Sequence, residues 1–279
     1  MLAGIFYAKC KVRRFARAGS TTFFGQHSHG VALLFDALLL ALFHLFHFNP
    51  FGGLFAGTAV PAACPLLSAP AVRWLGRLSY ADGLALQEEI VARHLSGENA
   101  DTMLLLEHDP VFTIGRSPDR SSLGNLASLP APLVEIGRGG KATWHGPGQL
   151  VGYPILNLVR YGQDLHHYLR ALEEGLIQGC HSLGVPAERS PGQTGVWASP
   201  GRKLASIGVG ARRWISMHGF AINISGSLGG FDAITPCGID GIVMTSLERE
   251  GARPLTVEAA ALHFAPFLLK SLAALSHHA

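Results

Sequence analysis

The sequence has 279 residues, of which 48% are hydrophobic and 15% are charged. This length and hydrophobicity allow a full core in one or two domains and exclude a wholly disordered chain. The formal net charge of +3 is uneven: residues 1–70 hold five basic residues and one acidic residue, and the rest of the chain has a net charge of −1. This balance excludes bulk electrostatic binding of nucleic acid. The four cysteines are scattered and form no C-x-x-C pair, so we expect no disulfide framework, no structural zinc and a cytoplasmic location.

The first 71 residues differ in composition from the rest of the chain. A basic stretch precedes an apolar run at 31–48, and a stretch rich in Gly, Pro and Ala follows it. The run is long enough for a marginal membrane helix, but Asp36 lies inside it, and a central Asp costs about 2.5–3.5 kcal/mol on insertion. Three interpretations are open: a membrane anchor or uncleaved signal, a targeting segment, and a non-native extension from a start site assigned too early. We expect the third, with residues 1–71 outside the fold and residues 72–279 forming one domain.

From Val72 onward, the hydrophobic pattern predicts three helices that alternate with groups of strands. The helices begin at predicted caps, Ser79, Asp164 and Thr256, and Pro266 should kink or break the last one. Strands are predicted at 102–107, 111–114, 133–136, 149–158, 194–199, 203–209 and 214–224. This order favours an α+β fold with a central mixed, largely antiparallel sheet flanked by helices, rather than a doubly wound parallel sheet.

The segment RGGKATWHGPGQL at 138–150 is the densest candidate site. Its glycines allow close approach of the backbone to a ligand, and Arg138 adds a planar cation. Trp144 and His145 add an apolar wall and a titratable group. The segment matches neither a P-loop nor a dinucleotide-binding motif. A ligand-binding loop and a plain surface loop both remain open.

Three single residues are further candidates for a reactive or ligand-binding role. Cys237, between Pro and Gly, suits an exposed nucleophile, although a lone cysteine is often a small buried hydrophobe, as we expect for Cys180 within its helix. Lys203 opens a strand that is otherwise apolar or small, and it points either into a ligand site or into solvent at a hairpin. His218 beside a glycine on a strand indicates either a pocket residue or a satisfied core histidine.

Six segments stand out in chain order: WLGRLSYADGLALQEEIV, EHDPVFTIGR, RGGKATWHGPGQL, GRKLASIGV, MHGFAINI and PCGI. In these segments the chain resembles the lipoyl(octanoyl) transferase family, over roughly residues 73–270. The N-terminal extension has no counterpart in the family, and Asp109 and Lys141 are smaller departures. The resemblance implies the fold of biotin and lipoate protein ligases, with residues 72–279 as the catalytic domain.

The resemblance also implies an activity and its partners. The enzyme would take an octanoyl group from the phosphopantetheine thioester of acyl carrier protein. It would pass that group to a lysine of a lipoyl domain of a 2-oxo acid dehydrogenase, or of the glycine cleavage H protein. This is the first step in making lipoate on the protein. The family implies no cofactor and no metal, and we expect neither nucleic acid nor a membrane among the partners.

The same resemblance assigns roles to individual residues. Cys237 would be the nucleophile that carries the acyl thioester, and Lys203 would favour its thiolate form. The substrate-binding positions would be Arg138, Gly139, Gly140, Lys141, Ala142, Thr143, Trp144, His145, Ser206, Ile207, Gly208, Gly219, Phe220 and Ala221. Trp144, Ile207 and Phe220 are our hypothetical lining of the acyl slot. Backbone N–H groups near Gly208 or Cys237 are candidate oxyanion donors.

Two surface features and three rival functions stay open at this level. Arg160 and the pair Arg212-Arg213 are candidate contacts for an acidic carrier protein, although the pair also fits a solvated strand end. The nearest rival function is an ATP-dependent lipoate or biotin protein ligase on the same fold, which would not need Cys237. The others are a cysteine hydrolase that releases octanoate and a non-catalytic acyl-binding scaffold tethered to a membrane.

Overall fold

The structure, a computed structural model, describes residues 69–98, 100–116, 119–124, 129–239 and 241–275. Residues 1–68, which make up most of the predicted extension, lie outside the described residues. The boundary between residues 71 and 72 and the interpretation of the extension therefore stay predictions.

The helices in the described part of the chain are α1 (Tyr80–Leu95), α2 (Leu165–Ser182) and α3 (Val257–Leu275). Each begins at its predicted cap, because the side-chain oxygens of Ser79, Asp164 and Thr256 accept backbone N–H bonds from the first turn. The last helix continues through Pro266, so of the predicted kink or break the break is wrong, and the kink stays a prediction.

Helix α3 packs closely on α2. A Cβ added to Gly175 of α2 would lie 2.9 Å from the backbone of Leu268, and one added to Gly179 would lie 2.3 Å from the ring of Phe264. This packing supports α3 on both sides of its proline. By length and composition alone, α3 could also cross a membrane, and 44% of its apolar window is buried inside the fold.

The strands are β1 (Ala71–Leu78), β2 (Thr102–His108), β3 (Val111–Ile114), β4 (Leu133–Glu135), β5 (Thr143–His145), β6 (Gln149–Ile155), β7 (Glu188–Ser190), β8 (Gln193–Ser199), β9 (Arg202–Arg212), β10 (Ile215–Asn223) and β11 (Val243–Met244). Every predicted strand is present. β6 ends three residues earlier than predicted, because Leu158–Tyr161 forms a short 3-10 helix. β1, β5, β7 and β11 were not predicted.

Within the described residues, two sheets organise the domain. The larger has the order β1-β2-β6-β10-β9-β8-β7, and β11 adds to β9. The pairings β1–β2 and β11–β9 are parallel, and the others in this sheet are antiparallel. The smaller sheet has the order β4-β3-β5. The predicted mixed, largely antiparallel sheet is therefore confirmed.

Alternating side chains bury both faces of the larger sheet. Met103 and Leu105 of β2 pack with α2 and α3, whereas Leu104 and Leu106 pack with Ile90 and its neighbours on α1. A third apolar cluster joins the small sheet to the segment 228–244. The helices thus flank the sheet on both faces. The segment that follows β4 is bonded to β9, because Gly139 N donates to Val209 O at 3.1 Å.

Candidate active site

A cleft of about 440 Å³ opens between the glycine-rich segment after β4, the β9–β10 hairpin and the segment that carries Cys237. Tyr80, at the start of α1, closes one wall. The volume falls within the range of small-ligand sites. The cleft is therefore large enough to hold a small ligand.

Cys237 lies in a short 3-10 turn, Pro236–Gly238, and has φ 57° and ψ 9°. This left-handed conformation is strained for a residue other than glycine, and such strain is concentrated at functional positions. The thiol is partly exposed and lines the cleft. The Cys237 backbone N–H donates to Ala142 O at 3.1 Å, so it is already bonded and does not serve as the predicted oxyanion donor.

Lys203 is 1% exposed, so its interpretation as a solvated hairpin lysine is wrong. Its Nζ donates to Cys237 Sγ at 3.3 Å and to Thr194 O at 3.1 Å, and it lies 4.9 Å from the centre of the Trp197 ring. Gly195 makes room for the stem, because a Cβ there would lie 2.8 Å from Lys203 Cε. The structure thus places the amino group of a buried lysine in direct contact with the cysteine sulfur.

Cys180 is a buried structural cysteine, as the sequence predicted, and so differs from Cys237. It lies in α2, is fully buried in the core and has no cationic partner among the described residues. Burial raises the pKa of its thiol to about 12. Of the two described cysteines, only Cys237 is reachable from the cleft and paired with a cation.

Arg138 organises the glycine-rich segment from inside. Its Nη1 donates to Gly139 O at 2.9 Å and to Lys141 O at 3.0 Å, and its Nη2 donates to Thr113 Oγ1 at 3.0 Å. Burial lowers the pKa of Arg138, although an arginine stays charged at neutral pH. Much of the guanidinium's hydrogen-bonding capacity is thus used to shape the cleft wall, and its charge remains beside the cleft.

His145 is neutral, and its tautomer follows from its neighbours. Thr113 Oγ1 accepts from Arg138, so the hydroxyl proton is free to point to His145 Nε2 at 3.4 Å. The proton of the ring is then on Nδ1, which donates to Gln149 Oε1 at 2.7 Å. Burial, reinforced by neighbouring His108, lowers the pKa of His145 to about 3.

The same hydrogen-bond path continues to the backbone of Lys203. Gln149 Nε2 donates to Asn223 Oδ1 at 2.9 Å, and Asn223 Nδ2 donates to Thr245 O at 2.9 Å. Thr245 N then donates to Lys203 O at 2.9 Å. Gln149 and Asn223 are at most 2% exposed. This buried path connects the glycine-rich segment to the strand that carries the lysine.

Several polar groups of the cleft were not predicted from the sequence. Tyr80 and Tyr153 line it, and Tyr153 Oη donates to His108 Nε2 at 2.7 Å. Tyr80 packs on the rings of His108 and His145, and burial raises the pKa of Tyr80 to about 12. Tyr80 comes directly after the predicted cap Ser79, so in the sequence it looks like an ordinary first residue of a helix. The rings become neighbours only when α1 docks on the sheet.

His218 lines the cleft, as one of its two interpretations predicted. Its φ is 59°, and its backbone N–H donates to Gln87 Oε1 at 2.8 Å. Burial lowers the pKa of His218 to about 4. Within the described residues, the buried atoms His218 Nδ1, Tyr80 Oη and Thr143 Oγ1 have no hydrogen-bond partner, so these cleft groups remain free for polar atoms of a ligand.

The structure brings most of the predicted residues to the cleft. Those that line it are Cys237, Lys203, Arg138, Gly139, Gly140, Lys141, Thr143, His145, Ser206, Ile207, Gly208, Gly219, Phe220 and Ala221. Ser206 Oγ lies 3.7 Å from Cys237 Sγ, and Lys141 pairs with Asp119 at 2.6 Å. No group of three potential metal-ligating side chains occurs among the described residues.

Ala142 and Trp144 do not line the cleft, so the predicted role of Trp144 as an apolar wall is corrected. β5 pairs with β3, and its side chains alternate: Thr143 and His145 face the cleft, whereas Trp144 faces away. The Trp144 ring packs edge-on against Phe231 in the third apolar cluster. Ala142 contributes only its carbonyl, through the bond to Cys237.

Comparisons with known proteins agree with this site. Residues 79–266 match the family described as the lipoyl protein ligase A/B catalytic domain. The octanoyltransferase of Geobacter sulfurreducens is 54% identical over 194 residues, which cover 69% of this chain and 81% of that protein. The octanoyltransferase of Geobacter metallireducens is 50% identical over 184 residues, which cover 66% of this chain and 84% of that protein.

A solved structure of a bipartite lipoate protein ligase from Thermoplasma acidophilum, described with its E2 lipoyl domain, has a TM-score of 0.55. The match is 16% identical and covers 75% of this chain and 91% of that chain, so it shows the fold alone. The predicted fold of lipoate protein ligases is confirmed. Because the family model spans most of the described domain and the octanoyltransferases are about half identical to it, the chain belongs to the lipoyl(octanoyl) transferase family and is an acyltransferase.

Proposed function

We propose that this enzyme takes an octanoyl group from the phosphopantetheine thioester of acyl carrier protein. The group passes through a thioester on Cys237 to a lysine of a lipoyl domain or of the glycine cleavage H protein. The observation that carries this proposal is the 3.3 Å contact between Lys203 Nζ and Cys237 Sγ at the edge of the cleft. The names of the relatives support the octanoyl group, and the lipoyl domain described with the archaeal ligase supports the acceptor.

The first half-reaction exchanges one thioester for another. The Cys237 thiolate attacks the octanoyl carbonyl, and the bond between that carbon and the pantetheine sulfur breaks. The Lys203 ammonium gives its proton to the leaving sulfur, so the products are octanoyl-Cys237, the free pantetheine thiol and a neutral Lys203 amine. The exchange is nearly isoenergetic, and no ATP is needed because the acyl group arrives activated.

The second half-reaction forms the amide. The neutral amine of the acceptor lysine attacks the octanoyl carbonyl, and the Cys237 sulfur leaves as a thiolate. The neutral Lys203 amine takes the proton that the acceptor nitrogen loses, which restores the ammonium beside the thiolate. This half-reaction is downhill, because an amide is much more stable than a thioester.

The cleft supplies what the acyl chain needs. Ile207, Phe220, Val151 and Val209 line it with apolar surface. His145 and His218 are neutral near pH 7, because burial lowers both pKa values below 5. The apolar slot therefore carries no histidine charge that would oppose burial of the octanoyl tail.

The test is an intact-mass and peptide-mass experiment without ATP. Incubation with octanoyl carrier protein should add one octanoyl group to the peptide that contains Cys237, and addition of a lipoyl domain should discharge it. Cys237→Ala should abolish the adduct, whereas Cys180→Ala, the matched change at the buried cysteine, should retain it. Transfer that requires ATP and survives Cys237→Ala would refute the covalent route and favour the ligase. Release of free octanoate without acceptor modification would favour the hydrolase.

A further inference from the structure

The tip of the β9–β10 hairpin has an unusual sequence for its backbone. Arg212 pairs with Ile215, so Arg213 and Trp214 form a two-residue turn, with φ values of 52° and 65°. Two successive positive φ values define a type I′ turn, which strongly favours Asn-Gly. Arginine and tryptophan are strained there, and strain in the backbone is often retained where the side chains have a function.

The side chains of this tip form a cationic and apolar surface. Arg212 and Arg213 are exposed, and neither takes part in any ion pair of the described residues. Trp214 is 36% exposed, and Val159, which is 53% exposed, lies beside it because Leu158 N donates to Trp214 O at 2.8 Å. Exposed tryptophan and arginine together are typical of the energetic centres of protein interfaces.

The predicted alternative contact, Arg160, differs from this pair. Its Nη1 lies 2.9 Å from Asp101 Oδ2, and Asp101 is almost fully buried. Its charge is therefore partly neutralised within the fold. The two arginines at the tip remain the better match for an acidic partner.

The distance from the tip to Cys237 indicates which partner fits. Ser206 Oγ lies 3.7 Å from Cys237 Sγ, and Arg212 follows six residues later on the same strand, which is about 20 Å along β9. A lysine side chain is far too short to span this distance. A phosphopantetheine arm, with its phosphate, pantoyl, β-alanyl and cysteamine units in series, is of comparable length.

We propose that the hairpin tip, Arg212 to Trp214 with Val159, is the docking surface for the acyl carrier protein that brings the octanoyl group. Acidic side chains of the carrier and the phosphodiester at the base of its arm meet the two arginines, and an apolar patch of the carrier covers Trp214. The arm then runs along β9 to Cys237. This inference rests on the proposed function, because it assumes a carrier-bound donor.

The test compares two octanoyl donors, the carrier protein and octanoyl-pantetheine, which has neither the protein nor the phosphodiester. Reversing both charges, with Arg212→Glu and Arg213→Glu, should raise KM for the carrier-bound donor about tenfold or more and make it less sensitive to salt. The rate with octanoyl-pantetheine and KM for the lipoyl domain should stay within about twofold. Arg253→Glu is the matched control, because Arg253 is also exposed but lies toward the opposite end of β10.

A second variant separates docking from folding. Arg213→Asn with Trp214→Gly gives the turn the residues that its backbone favours, so the melting temperature should equal or exceed that of the unchanged protein. KM for the carrier-bound donor should nevertheless rise about tenfold. Unchanged KM in both variants, or a rise in KM for the lipoyl domain instead, would overturn the proposal. Absence of transfer from both donors in the unchanged protein would refute the proposed function, and this docking surface with it.

Discussion

Replacing Lys203 by methionine should remove most of the reactivity of Cys237. The change deletes a buried ammonium 3.3 Å from the sulfur and keeps an unbranched apolar stem of similar length. At an effective dielectric constant of about 20, two unit charges at this distance attract by about 5 kcal/mol. Desolvation of the buried ammonium offsets part of this attraction, which leaves a net effect of roughly 2–4 kcal/mol, or about 30- to 1,000-fold in rate.

Two measurements report this loss. The rate of alkylation of Cys237 by iodoacetamide at pH 7 measures thiolate reactivity without any substrate, and octanoyl transfer measures the complete reaction. Both should fall together in Lys203→Met, and transfer should fall further because the proton donor is also lost. Circular dichroism checks that the fold is retained.

Lys141→Met is the matched control. Lys141 also lies near the Cys237 segment, since a Cβ at Gly238 would lie 2.1 Å from Lys141 Cδ, but its ammonium is 2.6 Å from Asp119 and it is 30% exposed. Alkylation of this variant should stay within about threefold of the unchanged protein. If Lys203→Met also stayed within threefold, the ammonium would not be what activates the sulfur, and the mechanism proposed above would be wrong.

Three further changes have defined outcomes. Burial depresses the pKa of His145 to about 3 and that of His218 to about 4. Between these values and about pH 6.5, the unfolded chain therefore binds more protons than the folded protein, so the free energy of unfolding should fall as the pH drops below about 6.5. His145→Gln should reduce this pH dependence in urea titrations. Ile207→Phe should shorten the preferred acyl chain in a series of acyl donors, whereas Trp144→Phe, a change outside the cleft, should leave the preference unaltered. Gly195→Ala, at φ 129°, should lower the free energy of unfolding by about 2 kcal/mol and slow transfer, because the new methyl group would lie 2.5 Å from Ala205 O and 2.8 Å from Lys203 Cε; equal rates would contradict this.

The helix starts and the apolar central strands were predicted from signals that lie within a few residues of each element. Ser79, Asp164 and Thr256 cap helices because their side-chain oxygens need only the next few residues. The central strands were predicted because they are apolar on both faces. The exposed edge strand β1 has no such run, and its irregularity near Gly76 interrupts any alternation, so it was missed.

The candidate site was predicted from the sequence in its residues but not in its geometry. Cys237 and Lys203 are 34 positions apart, and no local pattern states that they meet. In the fold, β11, which follows Cys237, pairs with β9 at Lys203, and Cys237 N donates to Ala142 O. Trp144 shows the opposite error. The polar–apolar–polar order Thr143-Trp144-His145 has the period of a strand, but the glycines on either side made the whole segment look like a loop.

The spacing within the glycine-rich segment follows from the frame that it builds. Arg138 turns its guanidinium back onto the carbonyls that follow it, and it shares Thr113 with His145, which lies seven residues further on across the small sheet. Gln149, four residues beyond His145, accepts the imidazole proton and points its amide toward β10. The orientation of each donor in this path is fixed by the group before it. Exchanging the donor and acceptor atoms of one side chain would therefore leave a buried polar atom unpaired. Since the path ends on the backbone oxygen of Lys203, it connects the residues that shape the cleft wall to the strand that carries the lysine beside the sulfur.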